Sequence, residues 1–229
     1  MAATEWEMQK KLTRHWIANG AVINGKKLFL AAWEVMVKSW WINDSKKHWA
    51  EPSIDFLFLD QTGNVWLVEM KRYIKTPRDA WEALCQVTHR AITLMKTYSF
   101  EKLEYAFSAA YSGQHGRVKS SSETISLLDS HKAFFNLGNP LSVNSVGKNP
   151  FHRVVAAIEF GGSWEDVRQR FDTEDLNKLR EYIRSSYVIS KRAREFSRFM
   201  KLTSSEFSAL AVHPPMSHYI DGQVAGSVE

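Results

Sequence analysis

The chain has 229 residues, 44% apolar and 24% charged, which excludes a disordered chain and suffices for a real core. No apolar run is long enough for a membrane helix and MAATEWEMQKK lacks a signal-peptide core, so a cytoplasmic protein is expected. The net charge of +5 gathers in residues 178–201, where eight basic residues face only Glu181 and Glu195, and the lone Cys85 excludes a disulfide framework or a one-chain iron–sulfur or Cys-rich zinc site.

In chain order, Thr4-Glu5-Trp6-Glu7 is a capping box and opens a helix that stops at Asn19-Gly20. Lys27–Val37 is β-like or mixed; pattern alone does not decide. Residues 43–53 read as a polar loop. Ile54–Leu59 and Val65–Arg72 are apolar runs split by Asp60-Gln61-Thr62-Gly63-Asn64, a β-hairpin. Thr76-Pro77-Arg78-Asp79 caps a second helix running to about Tyr98. Its expected core stripe is Trp81, Leu84, Cys85, Thr88, Ile92 and Met95, with Glu82, Gln86, His89, Arg90 and Thr93 beside it.

Tyr105–Tyr111 reads as a strand, Ser112–Ser122 as a basic loop and Glu123–Phe135 as a helix. A loop over 136–150 follows, then a buried-type strand Arg153–Phe160. Ser163 opens a helical region reaching about Lys201, and the tail after Pro214-Pro215 is irregular. Strands alternate with helices, so the class is α/β with a mixed sheet flanked by helices. Residues 1–111 hold the first half of the core, 112–213 complete the same domain with the basic helical region, and 214–229 are tail.

The chemistry concentrates in the hairpin. Side chains alternate faces along a strand, so Glu69 and Lys71 share a face with Val65 and Leu67. If Leu59 pairs with Val65, Asp55 lies opposite Glu69 on that same face. Two carboxylates and an ammonium then meet at one end of an apolar hairpin, which is costly without a purpose. A hard divalent cation on Asp55 and Glu69 removes the cost, and Lys71 can assist an attacking water or a phosphate. The plain alternative is a strand-end ion pair at the solvent edge.

Asp55 followed by Glu69-Met70-Lys71 on the next strand resembles the PD-(D/E)XK nuclease superfamily, with Pro52 displaced to three residues before Asp55. The run from Glu5 to about Tyr98 is similar to the RecB-like branch, in particular archaeal-type single-strand/mismatch endonucleases. The resemblance implies a restriction-endonuclease-like fold and Mg²⁺- or Mn²⁺-dependent hydrolysis of DNA phosphodiesters, by an endonuclease in repair, restriction or mobile-element defence. It implies metal binding by Asp55 and Glu69, with the Met70 carbonyl, and a helix-α1 carboxylate. Glu5, at the head of that helix's buried face, is the choice over Glu7, which the Thr4 cap explains. Gln86 matches the branch's helix glutamine, and Arg90 stands where the branch has tyrosine.

Arg90, Lys119, Lys191, Arg192, Arg194 and Arg198 are the expected DNA contacts, and Trp40, Trp41 and Trp49 are candidate stacking residues. DNA, single- or double-stranded, is the expected partner; a homodimer or a partner protein stays open. The other readings are a non-catalytic nucleic-acid-binding module on the same fold, and an α/β protein whose triad is a surface ion pair.

Overall fold

The structure is a computed structural model. It describes residues 4–23, 25–36, 53–76, 98–115, 126–148, 151–160 and 209–212, with Asp79, Glu82, Ala83, Gln86, Val87, Arg90, Ala91 and Leu94. The helical region expected over 163–201 and the tail after Pro215 lie outside these residues.

Helix α1 (Glu5–Asn19) begins at the expected box: Thr4 Oγ1 accepts the Glu7 N–H, and the Glu7 carboxylate accepts the Thr4 N–H at 2.8 Å. Gly20 ends it at φ +71, and a Cβ there would strike the Phe134 ring and the Leu28 carbonyl oxygen, so only glycine fits this turn. Strands β1 (Ala21–Ile23), β2 (Lys26–Met36), β3 (Ser53–Leu59) and β4 (Val65–Ile74) then form an antiparallel meander. Residues 27–36 of the undecided segment are thus strand. Strands β5 (His152–Phe160) and β6 (Ala209–Val212) join in parallel, giving a mixed six-stranded sheet in the order β1-β2-β3-β4-β5-β6.

Both faces of the sheet are covered, which explains why β3 and β4 read as nearly continuous apolar runs. On one face α1 inserts Met8, Leu12 and Trp16 among Phe56, Phe58, Trp66, Val68 and Met70. On the other, Leu57, Leu59, Val65 and Leu67 meet Ala83, Val87 and Ala91, then Leu103 and Phe107 of α2 (Phe100–His115) and Leu127 of α3 (Leu127–Phe135).

Three expectations change. Tyr105–Tyr111 is helix: Leu103 and Phe107 are buried one turn apart while Tyr105 is 77% exposed, a period of 3.6 and not 2. The helical residues after Thr76 bury Ala83, Val87 and Ala91, a stripe of small side chains that hydrophobicity alone passes over. The large residues of the expected stripe lie outside the described ones. Strand β6 had no signal, since four residues are too few for a period. Among the described residues no helix is long and apolar enough to cross a membrane.

Candidate active site

The hairpin sets the geometry. Asp60 closes it with a dense network: its carboxylate accepts from the Thr62 N–H and hydroxyl, the Asn64 N–H and amide, and Trp66 Nε1. His131 on α3 pins the Asp60 carbonyl at 2.8 Å. This fixes the register Leu59↔Val65 to Phe56↔Val68, as expected. Just beyond the last pair, Asp55 Oδ2 accepts the Met70 N–H at 2.8 Å. Alternation places Glu69 on the Leu67 face, but it breaks on β3, where Ile54 and Leu57 pack on one face and Phe56 on the other; Asp55 at this break lies within electrostatic reach of Glu69.

Glu69 is buried, 2% exposed. Lys71 Nζ donates to its Oε1 at 2.7 Å, and Arg90 Nη1 donates to its Oε2. Folding shifts two acids of this strand pair, Asp60 and Asp55, in opposite directions. Burial also opposes ionisation of Asp60, but hydrogen bonds from Thr62, Asn64 and Trp66 outweigh it and hold the carboxyl below the usual range. Asp55 has one backbone donor. Burial first, and then the Glu69 charge, push it up to about 7, against the pull of the Met70 N–H, Arg90 and Lys71.

Gln86 and Arg90 stand one turn apart on the helical segment after Thr76, so Arg90 on Glu69 brings Gln86 to the same side. The Gln86 Oε1 is buried and has no hydrogen-bond partner among the described residues. Arg90, expected on a DNA phosphate, sits on Glu69 with its side chain 15% exposed. Glu5 Oε2 accepts the Arg72 N–H at 3.1 Å and so fastens the head of α1 to β4 one residue past Lys71. Among the described residues no three of His, Cys, Asp and Glu form a metal-holding group, so Glu5 does not join Asp55 and Glu69 in one. Met70 meets the site through its N–H. Lys119, Lys191, Arg192, Arg194, Arg198, Trp40, Trp41 and Trp49 lie outside the described residues.

Sequence reasoning missed two features. One is the ion pair that Arg90 makes with Glu69; its only signal was the four-residue spacing from Gln86. The other is a cleft of about 420 Å³ between α1 and the β2–β3 strands, with Asp55 in its wall. It had no local signal, because its walls are far apart in the chain.

The donor chemistry fits a hard divalent cation. Two carboxylates, Glu69 buried and Asp55 half-buried, stand within electrostatic reach of each other, and burial together with the Glu69 charge disfavours ionisation of Asp55. No protein-family model matches the chain, and no curated protein or solved structure is similar to it.

Proposed function

We propose that the protein is a divalent-metal-dependent nuclease of the PD-(D/E)XK kind, with a restriction-endonuclease-like core, that hydrolyses DNA phosphodiester bonds as an endonuclease. One observation carries this reading: Asp55, Glu69 and Lys71 converge at one end of the β3–β4 hairpin, and Asp55 is held near neutrality in its proton affinity. Structural acids are satisfied by hydrogen bonds, as Asp60 is; an under-satisfied buried acid beside a charge partner marks a site that works.

Asp55 and Glu69 would hold Mg²⁺ or Mn²⁺, with the Met70 carbonyl the further ligand implied by the family resemblance. The ion would polarise the phosphate and acidify a water. Asp55 would bind it as the carboxylate. Lys71 uses one ammonium hydrogen on Glu69 and has two for the attacking water or a phosphoryl oxygen. The bare Gln86 Oε1 accepts a hydrogen bond from that water and so orients it. A water oxygen would bond to phosphorus while one bridging P–O bond breaks; the water gives up one proton to solvent and the departing oxygen takes one from solvent, so the hydrolysis balances. Arg90 holds the Glu69 carboxylate in place, and Glu5 holds α1 against the strand.

A non-catalytic nucleic-acid-binding module is the second reading. The observation favouring it is that Lys71 and Arg90 already balance Glu69 without a cation. Plasmid and single-stranded circular DNA, incubated with Mg²⁺ or Mn²⁺, separate the two. The nuclease reading requires cleavage that chelator, Glu69→Gln and Lys71→Ala each abolish. Salt-sensitive binding with no cleavage selects the second reading.

A further inference from the structure

The cleft beside Asp55 is built from two unlike walls. Trp6, Lys10, Thr13 and Arg14 recur at helical spacing and form one stripe of α1. Trp33 and Phe56 close the sheet wall next to Asp55. Of the four described tryptophans, Trp16, Trp33 and Trp66 are buried, whereas Trp6 is 51% exposed. The Lys10 ammonium lies 3.3 Å from the centroid of the Trp6 ring. Lys10 and Arg14 are exposed, and neither makes an ion pair among the described residues. The acids of the cleft, Asp55 and Glu34, stand on the strands. Charge is thus divided: cations along the helix, carboxylates along the sheet.

We propose that this cleft seats an unpaired stretch of a nucleic-acid strand, with a base stacked on Trp6 and the flanking phosphates on Lys10 and Arg14. The role given to Asp55 rests on the nuclease reading; the binding itself does not. An exposed indole beside two exposed cations, one of them resting on its ring, is the combination that single-strand sites use, because every base has a π-face and every link has a phosphate. The cleft volume falls in the range of pockets that hold a ligand of nucleotide size. A duplex hides the faces of its bases, so Trp6 gives the preference for unpaired strand.

The test is fluorescence-anisotropy binding of labelled oligothymidylate, and of a duplex of equal length, to the full chain in EDTA. Trp6→Ala should weaken the single strand roughly 5- to 100-fold. It should leave the duplex unchanged within about twofold, and Trp6→Phe should restore most of the loss. Arg14→Ala should lower the slope of log K against log salt by about 0.7. Unchanged single-strand binding in Trp6→Ala, equal losses on both DNAs, or no binding by wild type overturns the proposal. If Trp6→Ala fails to fold by its thermal transition, Trp6→Phe and Arg14→Ala decide. No cleavage occurs in EDTA, so the two readings fail separately. An inactive protein with Trp6-dependent binding removes the nuclease reading alone, and an active one without it removes the cleft alone.

Discussion

Replacing Asp55 with Asn should make the metal-free protein more stable, and more so the higher the pH. Asn keeps an oxygen to accept the Met70 N–H and removes the charge that burial and Glu69 oppose. The carboxyl moves from an ordinary 3.8 to about 7 on folding. At 1.36 kcal/mol per pH unit, that shift caps the penalty for ionised Asp55 at about 4 kcal/mol. The sign follows from linkage. The native state binds the proton more tightly than the unfolded chain. Wild-type stability from this group is therefore complete below 3.8 and is lost as pH rises through 7. Urea unfolding of both proteins in EDTA between pH 4 and pH 8 reads the difference directly. It should be close to zero at the acid end and reach about 2–4 kcal/mol in favour of Asn above neutrality. A difference that is flat with pH would falsify the burial of Asp55 against Glu69.

Other outcomes follow from the same geometry. Asp60→Ala should cost about 2–4 kcal/mol, since it strands the buried Trp66 Nε1 and undoes the turn. Because folding lowers the Asp60 pKa, its contribution is present above the ordinary carboxylate value and fades as pH falls through the native one, which an acid titration of stability detects. Lys71→Ala should reduce cleavage by on the order of 100-fold or more in kcat/KM with the unfolding midpoint little changed. Gly20→Ala should destabilise by about 2–3 kcal/mol in urea, with strain at positive φ added to the clash with Phe134.

The hairpin was legible because each of its signals is local. Apolar runs and a Gly-containing turn together fix the register from Leu59↔Val65 to Phe56↔Val68, whereas the break in alternation around Asp55 has no signal in the sequence. The first helix was legible for the same reason: Thr4, Glu7 and Gly20 are chemical punctuation. What failed depended on partners distant in sequence. The run around Phe107 suits a strand or a helix by composition, and packing on Phe29, far off in the chain, selects helix. Ala83, Val87 and Ala91 face the sheet because small side chains allow close approach, yet they carry little hydrophobic weight. Arg90 looked like a surface cation, and a buried Glu69 twenty-one residues upstream claims it. Glu5 was placed correctly at the head of the buried face, but its carboxylate caps a strand N–H.

Titration calorimetry of Mn²⁺ into the metal-free protein at neutral pH, for wild type and for Asp55→Asn with Glu69→Gln, tests the central claim most directly. The site as described predicts saturable binding by wild type and its loss in the double variant, while both proteins keep the same fold by circular dichroism. Undiminished Mn²⁺ binding by the double variant, or none by wild type, contradicts a metal centre on Asp55 and Glu69.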